Sequence, residues 1–503
     1  MLNQDQIPIL EQLHRCATRS PHAPFYAPGH KRGQGISSFL TDVLGEKVFT
    51  ADLPELPELD NLYQPSGVIQ QAQTLAAEAF GAEQTWFLVN GSTVGIIAAI
   101  LATCNPGDKI IVPRNAHQSV ISGLVLSGAQ AIVINPDYDP VWDLTYSITP
   151  EAIEQALNQH PDTKAILIVY PTYEGICGDI SKIANIAHQY NIPLLVDEAH
   201  GPHFAFHPDL PISALAAVAD LTVQSTHKIL GAMTQASMLH VRGDRINRYR
   251  LSQALQQVQS TSPSYLLLAS LDAARHQMAT MGEKLISHTL QLAHLARTQL
   301  QQIPPLSVLS SPGQSQPQQS VKKVPGFVDL DFTRLTVDVS GLGLSGYGAD
   351  EILHQKLGIT AELPSLRHLT FIISLGNTQA DIEQLIQGLS TLSNYCDRTS
   401  ESILHWPSVN RITPGNSSVI CPRTAFFAPS IARSLSESIG YISAELVVPY
   451  PPGIPALIPG ELITLEIVKF LKTVLNLGAT LTGCSDPTLA TINVVDHYPS
   501  HHP

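Results

Sequence analysis

Short, wholly apolar runs alternate with amphipathic segments between about residues 66 and 230. The apolar runs predict buried strands, and the segments with a helical period predict helices. The predicted strands are 85–89, 109–112, 131–135, 165–170, 193–196 and 221–223, and the predicted helices are 69–80, 96–103, 150–159 and 180–190. Apolar strands that alternate with helices are typical of a mostly parallel sheet covered on both faces. We therefore predict an α/β fold that binds ligands at the carboxyl ends of its strands.

The pattern changes on either side of this region. A proline-punctuated lead-in with one predicted helix, 7–17, comes first, and two helical stretches, 245–258 and 265–302, come afterwards. Strands 335–339 and 369–374 with helices 350–357 and 378–392 predict a smaller α+β domain, and low-complexity residues 310–325 predict a mobile loop. The predicted segments are a lead-in (1–65), a major domain (66–305), a small α+β domain (306–395) and a C-terminal domain (396–503).

One glycine-rich stretch matches the sequence pattern of a dinucleotide-binding motif. Gly341 to Gly346 reads GLGLSG and fits the GxGxxG pattern after a predicted strand. The helix that follows is short, and the stretch lies outside the alternating region. We interpret these glycines as a turn.

Composition narrows the classes of function. The chain has 503 residues, of which 44% are hydrophobic and 14% charged, which is typical of a globular protein with a large core. Its net charge of -14 argues against nucleic acid or an anionic membrane as a partner. The six cysteines include no CxxC pair, so neither a zinc site nor a disulfide framework is expected. No signal peptide or membrane span is evident, and we expect a cytoplasmic protein.

Polar side chains with catalytic potential fall where the predicted strands end. Ser92 and Thr93 open a helix after one strand, as in a phosphate-binding turn, although Ser and Thr are also ordinary helix caps. Lys228, among uncharged neighbours, is either a Schiff-base lysine or a surface lysine. Asp197 offers a carboxylate and His117 a flat ring at two other strand ends. Together they form the set that pyridoxal phosphate requires: a lysine, a carboxylate, a stacking ring and a phosphate cup.

Several ordered motifs resemble the ornithine/lysine/arginine decarboxylase family, whose core has the aspartate-aminotransferase-like fold. The resemblance covers nearly the whole chain. The motifs are Pro28-Gly29-His30-Lys31, Leu59-Asp60-Asn61-Leu62, Val89-Asn90-Gly91-Ser92-Thr93, Pro113-Arg114-Asn115-Ala116-His117, Val196-Asp197-Glu198-Ala199-His200-Gly201, Ser225-Thr226-His227-Lys228 and Tyr450-Pro451-Pro452-Gly453-Ile454-Pro455. The resemblance implies a pyridoxal phosphate-dependent lyase with a C-terminal decarboxylase domain.

The resemblance also implies a role for each matching residue. Lys228 would bind the cofactor covalently, Asp197 would pair with the pyridine nitrogen, and His117 would stack on the ring opposite Ala199. The residues implied around the phosphate are Ser92, Thr93, Ser225 and His227, with Ser260 or Thr261 reaching the phosphate of a neighbouring subunit. His200 is expected near the substrate. A homodimer, or a small homo-oligomer with active sites at the subunit interface, is therefore expected.

Two departures from the family are visible. Val94 stands where many relatives carry a small polar residue, so one phosphate contact is in question. The flavodoxin-like N-terminal domain of the large members is expected to be lacking, which disfavours their ring-shaped decamer.

One apolar position narrows the choice among the reaction classes. Aminotransferases of this architecture bind the substrate α-carboxylate with an arginine on a late strand, where this chain has Ile372, although Arg367 is nearby. An apolar setting favours loss of the carboxylate as carbon dioxide. Glu445 and Glu461 are candidates to meet the distal cation of a basic substrate, or are structural acids. We expect decarboxylation of arginine or lysine, less so ornithine. An aminotransferase, an aldolase-type lyase and a non-catalytic cofactor-binding paralogue remain alternatives.

Overall fold

The computed structural model describes residues 2–20, 22–312, 325–395, 419–450 and 453–496. Most of the predicted loop 310–325, and Pro451 and Pro452 of the proline-rich motif, lie outside these ranges. The chain forms two compact units. The first unit comprises Met1–Ala102, Val196–Pro208 and Ile212–Ile286; the second comprises Thr103–Leu195, Asp209–Pro211 and Ser287–Pro503. These units differ from the four predicted segments, whose boundaries stay a prediction.

The described residues contain helices and strands throughout. The helices are α1 Pro8–Thr18, α2 Ser38–Leu44, α3 Glu46–Ala51, α4 Val68–Phe80, α5 Gly91–Thr103, α6 Gln118–Ser127, α7 Pro150–Gln159, α8 Ile180–Gln189, α9 Thr226–Ile229, α10 Arg248–Val258, α11 Tyr265–Leu300, α12 Gly346–Leu357, α13 Gln379–Tyr395, α14 Pro422–Phe427 and α15 Leu465–Asn476. The strands are β1 Gln84–Leu88, β2 Lys109–Pro113, β3 Gln130–Ile134, β4 Tyr138–Asp139, β5 Leu144–Thr145, β6 Thr163–Val169, β7 Ile176–Cys177, β8 Leu194–Asp197, β9 Leu221–Gln224, β10 Ser237–Val241, β11 Ser307–Val308, β12 Asp329–Leu330, β13 Arg334–Asp338, β14 Leu363–Pro364, β15 His368–Ile372, β16 Ser430–Ser434, β17 Val448–Tyr450, β18 Thr480–Thr482 and β19 Thr491–Val495.

The largest sheet confirms the predicted α/β class. Its seven strands run in the order β1-β10-β9-β8-β6-β2-β3. Strand β2 is parallel to β3 and β6, whereas β10 is antiparallel to both β1 and β9. The six strands predicted from apolar runs are present, but β10 was not predicted. Every residue of β8, β9 and β10 is buried, as expected for strands covered on both faces.

Within the second unit, β11, β13, β15 and β14 form an antiparallel sheet. Its apolar core joins Leu335 and Leu369 of the strands to Leu353 of α12 and Leu389 of α13. The GLGLSG stretch forms a single 3-10 turn followed by Gly343 in the left-handed conformation (φ 73°). The interpretation of these glycines as a turn is confirmed.

The C-terminal part of the second unit has its own core. Strand β16 pairs with β19 and β17 pairs with β18, both antiparallel. Helix α15 adds Ile467, Val468 and Leu471 to an apolar cluster that includes Leu457 and Ile492. No helix in the described ranges is long and apolar enough to cross a membrane.

The first helix of the first unit is held by a buried ion pair. Arg275 Nη2 lies 2.6 Å from Asp272 Oδ1, and both side chains are fully buried on α11. The other Asp272 oxygen accepts a hydrogen bond from the Ile9 N–H (2.9 Å), in the first turn of α1. The Arg275 guanidinium also donates to the carbonyl oxygens of Gln4 (2.8 Å) and Gln6 (2.5 Å). The pair therefore anchors the N-terminal segment to α11.

We expect Asp272→Ala to lower the free energy of unfolding by about 3–5 kcal/mol, because it leaves the Arg275 charge buried without its partner. Urea unfolding followed by circular dichroism measures the loss. Glu11→Ala is the matched control: Glu11 pairs with Arg15 at the surface, and such exposed pairs contribute about 0–1 kcal/mol. Equal losses in the two variants would show that the buried pair does not hold the segment.

Candidate active site

The turn between β1 and α5 presents hydroxyl groups at a helix N-terminus. Gly91 has φ 79° and begins α5, and its N–H donates to the carbonyl of Gln235 at 3.0 Å. Ser92 and Thr93 follow in the first turn. The Ser225 hydroxyl, at the end of β9, donates to the Ser92 hydroxyl at 2.7 Å. Two of the predicted phosphate-binding serines are therefore in contact, beside backbone N–H groups that favour an anion.

Gly95 explains why α5 can approach the sheet so closely at this point. A Cβ atom added to Gly95 would lie 2.7 Å from Val223 Cγ1 and 2.8 Å from Leu88 Cδ1. Any larger residue would push the helix away from β1 and β9. The close packing keeps the start of α5 beside the end of β9.

Lys228 lies on the four-residue helix α9, directly after β9, and is half-buried. Its Nζ is 2.8 Å from Nε2 of His200, which follows β8. A histidine ring nitrogen can accept a hydrogen bond from an ammonium or donate one to a neutral amine. The structure thus brings together the predicted Schiff-base lysine and the histidine that was expected near the substrate.

Asp197 ends β8 and is almost fully buried. Burial raises the pKa of its carboxyl, while the charge of Lys228 and a hydrogen bond from the Ala199 N–H act to lower it. A buried carboxyl of this kind is stabilised as an anion when a cation binds to it. The protonated pyridine nitrogen of pyridoxal phosphate is such a cation, and the hydroxyls of Ser92 and Ser225 suit its phosphate. The residues of the first unit therefore fit this cofactor.

Three other predicted cofactor residues lie in the first unit. The His227 ring contacts the carbonyl oxygen of Ala236 through Nδ1 at 3.0 Å. Ser260 and Thr261 are exposed after α10, and the Ser260 N–H donates to the side-chain oxygen of Asn90 at 3.1 Å. Ser260 therefore lies next to the turn between β1 and α5 of its own chain. Its contact with a neighbouring subunit stays a prediction.

His117 belongs to the second unit and caps α6. Its Nδ1 accepts a hydrogen bond from the Ser119 N–H at 3.2 Å and lies 2.9 Å from the Ser119 hydroxyl. The ring is half-buried, and its orientation is fixed by these contacts. Its stacking role stays a prediction.

Both acidic candidates for the substrate's distal cation are engaged by neighbouring protein groups. The Glu461 carboxylate pairs with the Arg114 guanidinium through two contacts, at 2.8 and 3.2 Å, and also accepts the Ile458 N–H at 3.0 Å. Glu445 accepts the N–H groups of Ser485 (2.9 Å) and Asn493 (2.8 Å). These contacts match the alternative reading of the two residues as structural acids. A substrate role stays a prediction for each.

The position that distinguishes aminotransferases holds an isoleucine in a mixed setting. Ile372 of β15 lines a cavity of about 410 Å³ whose other residues are both apolar, such as Ile359, and charged, such as Glu362. The nearby Arg367 donates to Asp338 Oδ2 at 2.6 Å and to the Val141 carbonyl oxygen at 3.1 Å. Arg367 is therefore held by Asp338, which favours the expectation that no arginine binds the α-carboxylate from this strand.

Glu198 is a buried acid that the sequence analysis did not single out. It follows Asp197, is fully buried, and accepts hydrogen bonds at 2.7 Å from both the Ala214 N–H and the Gln224 side chain. A charged residue directly after an apolar strand was the available signal. No group of three or more His, Cys, Asp or Glu side chains in the described ranges is placed to hold a metal ion.

Comparison with known proteins identifies the family of this chain. The sequence model of "Orn/Lys/Arg decarboxylase, major domain" matches residues 7–381, and that of the family's C-terminal domain matches residues 432–488. An arginine decarboxylase of Halalkalibacterium halodurans is 38% identical over 99% of this chain and 99% of its own. One from Bacillus subtilis is 38% identical over 98% of this chain and 99% of its own.

A solved structure shows the same fold. The lysine decarboxylase LdcF of Francisella novicida superposes with a TM-score of 0.83 at 24% identity, covering 98% of this chain and 82% of its own. The resemblance inferred from the motifs is confirmed, as is the α/β fold class. The chain belongs to the Orn/Lys/Arg decarboxylase family.

Proposed function

We propose that this protein is a pyridoxal phosphate-dependent arginine decarboxylase that releases carbon dioxide and the corresponding amine. The observation that carries the proposal is the grouping of Lys228, His200, Asp197 and the Ser92–Ser225 pair at strand ends of one compact unit. Family membership supports the reaction class. When bound, the cofactor supplies an electron sink for the bond that breaks at the substrate's α-carbon.

The chain's own groups would hold and orient the cofactor. Lys228 Nζ would bind its aldehyde, and Asp197 would keep the pyridine nitrogen protonated. Ser92, Thr93 and Ser225 would receive the phosphate at the start of α5. His200 holds Lys228 Nζ by a direct hydrogen bond and is placed to exchange a proton with it. His117 is proposed to stack on the ring.

Arginine is the proposed substrate because relatives named arginine decarboxylase are 36–38% identical to this chain, whereas those named lysine decarboxylase are 23% identical. The net charge of -14 is compatible with a cationic substrate. In the proposed homodimer each subunit completes the other's phosphate site through Ser260 or Thr261, and both residues are exposed, as that role requires. A reducing compartment, such as the cytoplasm, suits the five free cysteines in the described ranges.

We expect carbon dioxide and amine release to be fastest with arginine when the protein is assayed with pyridoxal phosphate against arginine, lysine and ornithine. Lys228→Ala should abolish release, since it removes the amine that binds the cofactor. Lys109→Ala removes a lysine that pairs with Asp162 at the surface, and should leave the rate unchanged. Keto-acid formation without carbon dioxide would instead indicate transamination, and no reaction with all three substrates would contradict the proposal.

The two acidic candidates can be separated by measuring stability and kinetics together. Glu461→Gln should lower the free energy of unfolding by about 3–5 kcal/mol and leave the KM for arginine unchanged, because it strips the buried Arg114 of its charge partner. Glu466→Gln, at an exposed position in the first turn of α15, is the control: it should leave KM unchanged and lower the free energy of unfolding far less than Glu461→Gln does.

The same pair of measurements on Glu445→Gln tests the other candidate. A carboxylate that binds the guanidinium of the substrate contributes to substrate affinity, so its glutamine variant should have a higher KM for arginine. The free energy of unfolding of that variant should equal that of the control. That result would support a substrate role and overturn the structural reading of the residue concerned.

A further inference from the structure

A row of four buried polar side chains crosses the sheet behind the candidate cofactor site. Thr85 lies on β1, His240 on β10 and Gln224 on β9, and Glu198 follows β8, so the row runs through four neighbouring strands. None of the four is more than 2% exposed. Thr85 Oγ1 is 2.8 Å from His240 Nδ1, His240 Nε2 is 3.2 Å from Gln224 Oε1, and Gln224 Nε2 is 2.7 Å from Glu198 Oε2.

The donors of this row can all point from Thr85 towards Glu198, or all point the opposite way. Burial lowers the pKa of His240 to about 3, so its ring is neutral and has one donor and one acceptor nitrogen. If the Thr85 hydroxyl donates to His240, the ring donates to Gln224, and the Gln224 amide donates to Glu198. A half-turn of that amide reverses each bond, and Glu198 must then donate its own proton.

Burial raises the pKa of Glu198 to about 8, so its carboxyl carries a proton at neutral pH. The proton serves the reversed direction, in which Glu198 donates to Gln224. Glu198 still accepts the Ala214 N–H at 2.7 Å through its other oxygen.

At one end of the row, the last two residues adjoin the cofactor-binding groups. Glu198 directly follows Asp197, and Gln224 directly precedes Ser225. The Glu198 N–H also donates to the Val223 carbonyl oxygen at 2.9 Å, so side chain and backbone both join the two strand ends. Space around the carboxyl side chain is tight, because a Cβ atom on Gly201 would lie 2.8 Å from Glu198 Cγ. Movement at Glu198 would therefore move Asp197 relative to Ser225.

We propose that Glu198 is a positioning residue for the cofactor: through its hydrogen bond to Gln224 it fixes Asp197 against Ser225 and the start of α9. The inference rests on the proposed function in that it takes pyridoxal phosphate as the ligand of this site. Glu198 itself contacts no reacting group. Its contribution is to fix the distance between Asp197, which would pair with the pyridine nitrogen, and Ser225, which would bind the phosphate.

Three variants of the full-length protein test the proposal. Glu198→Leu keeps the approximate size and loses both hydrogen bonds, whereas Glu198→Gln keeps an acceptor for Ala214 and a donor for Gln224. Thr222→Val is the matched control, since Thr222 lies on β9, is fully buried, and its hydroxyl makes no hydrogen bond among the described residues. Each apoprotein is titrated with pyridoxal phosphate, and its affinity is obtained from quenching of tryptophan fluorescence. Thermal unfolding of each apoprotein is measured in parallel.

Glu198→Leu should bind pyridoxal phosphate about tenfold more weakly, because only one of the two bonds it loses, that to Gln224, links Asp197 to Ser225, and one buried hydrogen bond corresponds to about tenfold in affinity. Glu198→Gln should restore the affinity to within about threefold, and Thr222→Val should match the unmodified protein. The rescue by glutamine separates a positioning role from a general loss of packing. Equal affinity of Glu198→Leu and Thr222→Val, both folded at the assay temperature, would overturn the proposal.

The remaining outcomes are also decisive. If Glu198→Leu does not fold, Gln224→Met breaks the same bond from the other strand and should show the same tenfold loss. If neither folds while Thr222→Val does, the row is needed for folding as a whole and the positioning role is wrong. If the unmodified protein itself binds no pyridoxal phosphate, it is the proposed function that fails.

Discussion

Burial of one negative charge, on Asp197, is the constraint from which the organisation of the first unit follows. A carboxylate buried at a strand end lowers the stability of the folded protein unless a cation compensates its charge. The nearby charge of Lys228 provides part of that compensation, and the proposed cofactor would provide the rest. Lys228 therefore has to lie close to Asp197, and its Nζ also contacts His200 directly.

The order of the strands explains how residues from distant parts of the sequence reach this point. β8 and β9 lie side by side, so the residues after each of them, Asp197 with His200 and Ser225 with Lys228, become neighbours. The glycine at position 95 lets α5 approach the same strands, which brings Ser92 to Ser225. A small side chain and the order of the strands thus bring these groups together.

The sequence was sufficient for the parts of this arrangement that depend on local pattern. Apolar runs identified the parallel strands, and ordered motifs singled out Ser92, Asp197 and Lys228, which the structure places in one compact unit. It was insufficient for β10, whose Ser237 and His240 interrupt the apolar pattern and whose partner β1 lies about 150 residues away. The Glu198 row and the pairing of Glu461 with Arg114 were missed for the same reason: each joins residues that are adjacent only after the chain has folded.

The pairing of Arg114 with Glu461 also has a consequence for how this sequence can change. The two residues are 347 positions apart, and both are buried. Either substitution alone leaves a charge without its partner, so a lineage that alters one must pass through a less stable intermediate. Across homologues, these two positions should therefore covary, changing together or not at all. Evolutionary change in the C-terminal segment is in this sense tied to change at the end of strand β2.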